Sequence, residues 1–400
     1  MENKNILISG AGIAGLTLAY WLKKYGFNPT VVEHSPVLRE GGYMIDFFGA
    51  GYHVAEKMKI ISAIEKEDIK IAEITFVDEN NKKEGGLNAA KIRKLMNNKA
   101  VNLLRSDLSR VIYNSLDKDI PFIFGDSISK IEQTASEVNV TFKSGKEQQF
   151  DLVVGADGLH SNVRHLVFGP ESQFEKYYGY YTSSYTVENY FKKDNQFLSY
   201  TVPGRQVGIY SLKNNKLATF FLFTSPEKIT YEHHDVNRQK QILRDAFKEM
   251  KWECDTLLSK MDTAPDFYFD TVSQIQMTQW AKNRVTLVGD ACDCPSLLSG
   301  QGSTLAMVGA YILAGELNEA KGNYNVAFNQ YQQIFKPFID NKQKIAQNFA
   351  ESFLPKNKFG IWVRNTFTNL MFLPFVSNWL VKQFMIDKIK LKDYDEIRSN

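Results

Sequence analysis

The stretch GAGIAG at residues 10–15 constrains the fold more than any other feature of the sequence. It follows a short apolar run, NILIS, and precedes the helix-like LTLAYWLKKYG, after which a second apolar run, TVVEH, begins. Strand, glycine turn, helix and strand in this order form the unit that places a pyrophosphate at a helix N-terminus. The chain is therefore predicted to begin with a dinucleotide-binding unit of the doubly wound α/β class.

The three glycines of this stretch have separate roles. Gly10 permits the tight turn, Gly12 lets the backbone approach the phosphates, and Gly15 lets helix and strand pack closely. Glu33 follows Gly15 by about eighteen residues, where a carboxylate accepts hydrogen bonds from ribose hydroxyls. The same carboxylate would repel a 2′-phosphate, so the unit indicates FAD or NAD and does not choose between them.

A second segment near residue 290 also has an apolar run that is followed by a glycine-containing turn and a helix. The apolar run from Val285 to Val288 leads to Gly289 and Asp290, and a glycine-flanked turn and a long helix follow. Strand ends that meet helix starts are where ligands bind in a doubly wound sheet. Asp290 is thus a candidate ribose or ribityl contact, with a helix cap or turn as the alternative. The amides around residues 300–302 are a candidate anion site.

The middle of the chain predicts a helix and then a separate sheet. In VNLLRSDLSRVIYNSL we expect Ser106 to cap a helix, with Arg105 just ahead of it. Residues 171–269 are rich in aromatic side chains, which suggests a large sheet distinct from the nucleotide-binding unit.

Composition excludes several classes of protein. Over 400 residues, 48 Lys and Arg face 45 Asp and Glu, a net charge of +3 that gives no nucleic-acid-binding footprint. Cys254, Cys292 and Cys294 form neither a disulfide framework nor a zinc site, and no metal is expected. The beginning MENKNILISG lacks a secretory signal, and no apolar run is long enough to span a membrane. We expect a cytoplasmic protein.

Three segments follow one another along the sequence: GAGIAG with Glu33, then LVVGADGLHSNVR, then LVGDACDCPSLLSGQG. Together they resemble the single-component FAD monooxygenases of the para-hydroxybenzoate hydroxylase group, over nearly the whole chain. The resemblance implies that the first element binds the ADP half of FAD and that Asp157 and Gly158 serve both FAD and NAD(P)H. It further implies that Asp290 contacts the ribityl-pyrophosphate region and that Arg105 lies on the flavin.

Motif and resemblance together predict a set of FAD-binding residues. The set is Gly10, Gly12, Ala14, Gly15, Glu33, His34, Arg105, Asp157, Gly158, Gly289, Asp290, Pro295, Gly300, Gln301 and Gly302. No catalytic side chain is expected, because the flavin performs the chemistry. As the resemblance implies, NAD(P)H reduces FAD, oxygen adds to it, and a flavin C4a-hydroperoxide transfers one oxygen atom to an electron-rich carbon. The sequence does not choose between NADH and NADPH.

Within the group, the chain is most similar to the tetracycline-inactivating monooxygenases. That similarity rests on GGYMIDFFG at 41–49, DFYFD at 266–270, and CPSLLSGQG followed by VGAYILAGEL. It implies a C-terminal helix that bridges two domains, a role that fits the aromatic stretch 361–385. Many relatives have His where this chain has Asp293 and Asn where it has Thr304, so contacts of those side chains are not transferred.

The predicted fold is a Rossmann-like FAD-binding domain of the glutathione-reductase-related type with an inserted, mostly β substrate domain. The FAD-binding domain comprises 1–72, 98–170 and 271–345, the substrate domain 73–97 and 171–270, and the bridging helical segment 346–400. We expect a monomer that binds O2 and an aromatic or polycyclic small molecule, with tetracycline as a candidate. The alternatives are a flavin oxidase or halogenase, although the halogenase signature W-x-W-x-I-P is absent, and a non-catalytic FAD-containing binding protein.

Overall fold

The computed structural model describes residues 2–39, 41–232, 234–370, 387 and 389–395. Within these ranges the chain builds two large sheets and two small ones. No helix in the same ranges combines the length and the apolar character needed to cross a membrane.

The strands of these sheets follow one another along the whole chain. They are β1 (Asn5–Ser9), β2 (Asn28–Glu33), β3 (Met44–Phe48), β4 (Glu73–Val77), β5 (Lys83–Leu87), β6 (Ala100–Leu104), β7 (Phe122–Phe124), β8 (Ile128–Gln133), β9 (Val138–Phe142), β10 (Glu147–Phe150), β11 (Leu152–Gly155), β12 (Glu175–Ser184), β13 (Thr186–Glu188), β14 (Gln196–Val202), β15 (Arg205–Leu212), β16 (Lys216–Thr224), β17 (Tyr268–Ile275), β18 (Ala281–Lys282) and β19 (Val285–Leu287).

The helices lie between these strands and after them. They are α1 (Ile13–Lys24), α2 (Ala50–Lys57), α3 (Ile61–Lys66), α4 (Ala89–Leu95), α5 (Arg105–Asn114), α6 (Asn162–Phe168), α7 (Val236–Phe247), α8 (Cys254–Lys260), α9 (Asp290–Asp293), α10 (Gly302–Glu319), α11 (Tyr324–Phe353) and α12 (Lys358–Leu370). Short 3₁₀ turns cover Glu171–Gln173, Met261–Thr263 and Leu297–Ser299.

The first large sheet has the order β18-β19-β11-β1-β2-β7 and is parallel except for the pair β18 and β19. Ile6, Leu7 and Ile8 of β1 are fully buried, as expected for a central strand that is covered on both faces. Helix α10 packs against α1, and every residue from Thr304 to Leu317 is buried. The predicted Rossmann-like α/β fold, with its strand, glycine turn, helix and strand, is confirmed.

The second large sheet has the order β17-β12-β16-β15-β14-β4-β5, with β13 paired to β16. Only the contact between β4 and β14 is parallel. Helices α7 and α8 cover one face and enclose an aromatic core that includes Tyr181, Phe221 and Phe247. The predicted inserted, mostly β region is present, while the exact domain bounds stay a prediction.

Of the two small sheets, one inserts between strands of the first large sheet and the other lies in the chain where it passes between the two large sheets. Strands β8, β9 and β10 form an antiparallel meander, and β3 pairs with β6. Met44 pairs with Leu104, so Tyr43 and Arg105 lie side by side, and the Arg105 amide donates to the Tyr43 carbonyl at 3.2 Å. Helix α5 starts directly at Arg105 without a side-chain cap. The predicted cap by Ser106 is therefore wrong, because β6 continues to the first helical residue and Ser106 lies inside the first turn.

The C-terminal segment contacts both large sheets and their helices. Helix α11 packs along α10, and α12 packs on β5 and β14. The Asn365 amide donates to Glu84 of β5 at 3.1 Å, whereas the Tyr394 hydroxyl donates to Glu316 of α10 at 2.7 Å. Most of the aromatic stretch 361–385 falls in 371–386, outside the described residues, and its bridging role stays a prediction.

Candidate functional site

The candidate site lies where the parallel strands of the first sheet end. Gly10 follows β1, Glu33 ends β2, Asp157 follows β11, and Asp290 follows β19. Because these four strands are parallel, their carboxyl ends meet at one edge of the sheet. The structure thus brings together residues that the sequence places up to 280 positions apart.

The three motif glycines solve different steric problems. Gly10 has a φ of 110°, and a side chain there would meet the Ala156 carbonyl oxygen at 2.6 Å. A side chain on Gly15 would collide with the carbonyl of Gly10. Beside Gly12, by contrast, a Cβ would have one described atom within 4 Å outside its chain neighbours and its own helix, namely Nη2 of Arg105 at 3.7 Å. Open space and a positive charge therefore lie over the start of α1.

Glu33 is tied to the glycine turn by its own hydrogen bonds. Its Oε2 accepts from the Ala11 amide at 2.8 Å, and its Oε1 accepts from the Ser35 amide at 2.9 Å. Each carboxylate oxygen can accept a further hydrogen bond, which is what a ribose hydroxyl would donate. The neighbouring His34 is 67% exposed, with Nδ1 3.6 Å from Glu33, so it lies at the outer rim of the site.

Asp290 and Arg105 form the charged centre of the site. Burial raises the pKa of Asp290 and the charge of Asp270 adds to this, while the Arg105 guanidinium and the Cys294 thiol oppose it. Asp290 also faces the first residue of α10, since a Cβ on Gly302 would lie 3.9 Å from its Oδ1. A hydroxyl-rich ligand between Gly12 and Gly302 would find an acceptor in Asp290 and a cation in Arg105.

Several other predicted residues shape the backbone around this centre. Gly289, with a φ of 66°, lets β19 approach α1, because a Cβ there would stand 3.0 Å from that of Ala14. Gly300 is exposed with a φ of 61°, and no described atom lies within 4 Å of a Cβ placed there. Gln301 is buried at the N-cap of α10, and the Pro295 carbonyl accepts from a glutamine of β17 at 3.2 Å.

Asp157 holds helix α6 in place. Its Oδ1 accepts from the Ser161 hydroxyl and its Oδ2 from the Val163 amide at 3.0 Å. Burial nevertheless raises its pKa above the ordinary value. Gly158 beside it has a φ of 81° and open space in place of a side chain. The contact of Asp157 and Gly158 with FAD and NAD(P)H remains a prediction, and the observed contacts of Asp157 are with Ser161, the N-cap of α6, and with the first turn of that helix.

Sequence reasoning missed a charged cluster that joins the two large sheets. His160 lies between two carboxylates: Nε2 is 3.0 Å from Asp270, and Nδ1 is 3.0 Å from Glu171. Burial alone would lower the pKa of His160, but the hydrogen bonds to Asp270 and Glu171 outweigh it and raise the pKa to about 10. The buried Arg164 also pairs with Glu171, at 2.8 Å, and donates to the Ala291 carbonyl of α9. The cluster therefore connects β17 to α9.

Two tyrosines at the junction of the sheets were also missed. The rings of Tyr43 and Tyr268 are 5.3 Å apart between centroids, at an interplanar angle of 49°, and both are half-buried. Burial raises the pKa of Tyr43 to about 12, with Arg105 opposing and Asp290 reinforcing the shift. The motifs GGYMIDFFG and DFYFD contain these residues, but nothing in the sequence pairs them.

Asp293 is a buried acid beside Asp290. It is 1% exposed, and neither oxygen accepts a hydrogen bond from an N–H or O–H group of the described residues. Burial and the nearby Asp290 charge raise its pKa well above the usual range, which the Cys292 thiol only partly offsets. Cys292 and Cys294 are buried free thiols, as expected for packing residues.

Together these residues fit an adenine dinucleotide. Gly12 leaves room for a pyrophosphate, Arg105 supplies the opposite charge, Glu33 can accept from ribose, and Asp290 can accept from a second polyol. Among the described residues no group of His, Cys, Asp and Glu could hold a metal ion.

Comparison with known proteins gives the same result. Residues 3–325 match the family described as FAD binding domain. A flavin-dependent monooxygenase of Legionella longbeachae is 38% identical over 358 residues, covering 89% of this chain and 91% of that protein. The crystal structure of the tetracycline destructase Tet(51) superimposes with a TM-score of 0.85 and 33% identity, covering 98% of this chain and all of that one. Klebsiella pneumoniae HpxO, solved with FAD and uric acid, shares the fold with a TM-score of 0.78 at 19% identity, covering 98% of this chain and 99% of that one.

Proposed function

The chain belongs to the FAD-binding family of flavin-dependent monooxygenases, and we propose that it uses NAD(P)H and O2 to hydroxylate a polycyclic molecule with phenol or enol groups, such as a tetracycline. The single observation that supports this most strongly is the open space beside Gly12, which is bounded by the guanidinium of Arg105, the same group that opposes the rise in the pKa of Asp290. The similarity to a tetracycline destructase over nearly the whole chain supports the substrate class.

When bound, FAD supplies the redox chemistry. The balanced reaction takes a substrate C–H, O2, NAD(P)H and a proton to a C–OH, water and NAD(P)+. One oxygen atom of O2 enters the substrate, and the other leaves as water after reduction by the electron pair of NAD(P)H. The roles of the protein are binding, orientation and electrostatic stabilisation.

Specific residues would perform these roles. Glu33 accepts hydrogen bonds from the adenosine ribose, and the Arg105 guanidinium balances the pyrophosphate charge beside Gly12. Asp290 accepts from a ribityl hydroxyl. The N-terminus of α10, an 18-residue helix, presents free amides and a positive dipole end that favour an anionic ring edge.

The substrate is proposed to bind between the two large sheets. The half-buried rings of Tyr43 and Tyr268 lie there, next to Arg105 and Asp290. Aromatic side chains suit a flat polycyclic ligand because they offer apolar area with a polar tip. We propose further that the protein acts in the cytoplasm. We also propose that it is a monomer, and size-exclusion chromatography with light scattering would test the oligomeric state.

The test is coupled turnover. Purified protein loaded with FAD is mixed with NADPH or NADH, with and without tetracycline, while NAD(P)H oxidation and the long-wavelength absorbance of the drug are followed. The proposal predicts that tetracycline accelerates NAD(P)H oxidation and loses its absorbance. If a simple phenol is turned over and tetracycline is not, the substrate class is wrong and the monooxygenase assignment stands. If FAD binds and neither compound stimulates NAD(P)H oxidation, the proposal fails.

A further inference from the structure

Two buried glutamines cross between the second large sheet and α11, next to the loop that leads into α10. Gln274 lies in β17 and is fully buried, and Gln343 lies in α11 and is 6% exposed. The side-chain amide of Gln274 donates to the Gln343 carbonyl at 2.8 Å, and that of Gln343 donates to the Ile275 carbonyl at 2.8 Å. Each side chain therefore binds the backbone of the other element.

The same two side chains hold the start of the loop between α9 and α10. Gln274 donates its second amide hydrogen to the Pro295 carbonyl at 3.2 Å. Gln343 donates its own second hydrogen to the Cys294 carbonyl at 3.0 Å. The Ile275 backbone amide also donates to the Cys294 carbonyl, at 3.2 Å. Two consecutive carbonyls of this loop thus accept hydrogen bonds from three donors on β17 and α11.

The side-chain amide of Gln274 has no hydrogen-bonding capacity left for water or for a ligand. An amide side chain has two N–H hydrogens and two acceptor positions on its oxygen. Both hydrogens bind carbonyls, and Oε1 accepts from the Tyr178 hydroxyl at 2.7 Å and from the side-chain amide of Gln276 at 2.9 Å. Because a carbonyl can only accept, these partners also determine which end of the Gln274 amide is the nitrogen. The side chain is therefore fixed in one orientation.

The loop has a second anchor where it enters α10. The Thr304 hydroxyl, in the first turn of that helix, donates to the Phe48 carbonyl at 2.9 Å. Between the two anchors the loop folds on itself, since the Gly300 amide donates to the Leu297 carbonyl at 3.0 Å. The position of residues 296–301, and with it the position of the free amides at the start of α10, thus depends on what holds the loop at its ends.

We infer that Gln274 and Gln343 are positioning residues that fix residues 294–301 against β17 and α11, and that they thereby hold the N-terminus of α10 where it favours an anionic flavin ring. The inference rests on the proposed function and adds the groups that regulate the electrostatic surroundings of the cofactor. Backbone amides and the positive end of a helix stabilise negative charge, which a reduced flavin ring carries. A loop that is held less firmly presents these amides less well, so it stabilises the reduced ring less.

The first measurement is hydrogen–deuterium exchange of the FAD-free protein, followed by mass spectrometry over residues 295–305. The variants are Gln274→Met and Gln343→Met, which keep the length of the side chain and remove its amide. Gln332→Met is the matched control. Gln332 also lies on α11, but its amide binds two backbone groups between β17 and β18, at 2.8 and 2.9 Å, and not the loop.

We expect exchange over residues 295–305 to be about tenfold faster in Gln274→Met and Gln343→Met, because a buried carbonyl that loses its donor weakens the loop by roughly that factor. The second measurement is the midpoint potential of the bound flavin in the FAD-loaded protein, which should fall in both variants. Gln332→Met should lower the thermal midpoint and change neither the exchange of the loop nor the potential. If one of the two loop variants does not fold, the other decides.

The outcomes separate this inference from the proposed function. Unchanged exchange of the loop, or a loop that exchanges faster with an unchanged flavin potential, overturns the inference and leaves the monooxygenase assignment intact. An equal effect of Gln332→Met would mean that the glutamines act only through overall stability, which also overturns the inference. If the wild-type protein does not bind FAD, the proposed function and the inference both fall.

Discussion

The Nη2 atom of Arg105 lies 3.7 Å from the position that a Cβ would occupy on Gly12, and apart from the chain neighbours and the helix of Gly12 no other described residue has an atom within 4 Å of that position. Arg105 starts α5 and Gly12 precedes α1, so the contact joins two segments that are far apart in the sequence. A positive charge is thus held over an N-terminal turn that has room for an anion. This relationship distinguishes Gly12 from the two other glycines of the motif and leads to the first prediction.

Gly12→Val should fold normally and fail to retain FAD. Gly12 has a φ of −79°, which any residue adopts, and a Cβ added there would meet only Nη2 of Arg105, at the ordinary contact distance of 3.7 Å, outside its chain neighbours and its own helix. The added methyl groups would instead occupy the room that a pyrophosphate needs. The measurements are the FAD content after purification and the thermal midpoint of the FAD-free protein, which should match that of FAD-free wild type.

Gly15→Ala is the contrasting variant. A Cβ at this position would collide with the carbonyl of Gly10, so β1 and α1 would have to separate. We expect a lower thermal midpoint even without FAD. If Gly12→Val unfolds as readily as Gly15→Ala, Gly12 has a packing role and the assignment of its open space is wrong.

Asp290→Ala and Arg105→Gln should each weaken FAD binding. A hydrogen bond to a charged group contributes about 1.5–3 kcal/mol, so the Kd of FAD should rise roughly tenfold to a hundredfold in each variant. Fluorescence quenching of FAD on titration with apoprotein measures the Kd. The exposed Arg110 on the same helix as Arg105 gives a control, Arg110→Gln, that should leave the Kd unchanged. Unchanged affinity in both site variants would show that FAD binds elsewhere.

His160 should make the stability of the protein depend on pH in the alkaline range. Its pKa is raised from 6.5 to about 10 in the folded state, so the stabilisation is complete below pH 6.5 and is lost as the pH rises through about 10. We expect His160→Gln to lower the free energy of unfolding by about 1.5–3 kcal/mol at pH 6, and the difference from wild type to shrink toward pH 10. Urea unfolding at both pH values measures it, and a difference independent of pH would contradict a charged His160.

Asp293→Asn should stabilise the protein, and more so at higher pH. The pKa of Asp293 is raised well above 3.8 in the folded state, so the folded protein keeps a proton that the unfolded chain releases. Wild-type stability therefore falls as the pH rises above 3.8, whereas an amide does not titrate. Each pH unit between the unfolded and the folded pKa costs the wild-type protein about 1.4 kcal/mol of stability, because the folded state keeps one proton that the unfolded chain has released. Urea unfolding at pH 5 and pH 8 should show a larger gain at pH 8, and an equal loss at both would refute this account of Asp293.

Local sequence patterns predicted the start of the first sheet because the residues that define it lie close together in the sequence. The turn between Gly10 and Gly15 and the acid at Glu33 lie within one strand-helix-strand unit, and the structure places them as expected. His160 and Asp270 are 110 residues apart, and their pairing depends on how β17 docks against the first unit. No periodicity in the sequence encodes that docking.

The start of α5 shows a different limit of prediction from sequence, because residue type alone does not determine where a helix begins. Ser106 is a good capping residue by type, but β6 runs straight into the helix and leaves Leu104 at the cap position. Tertiary pairing of β6 with β3 thus decides where this helix begins, and the residue type of Ser106 does not reveal it.

The most direct test of the central claim is the fate of the two atoms of O2. Purified FAD-loaded protein is incubated with NADPH, tetracycline and isotope-labelled O2, and the product is analysed by mass spectrometry. The account predicts a product that carries one labelled oxygen atom, formed in proportion to the NADPH consumed and with little hydrogen peroxide. Consumption of NADPH with release of hydrogen peroxide and no label in the organic product would contradict it, because the protein would then be an oxidase and not a monooxygenase.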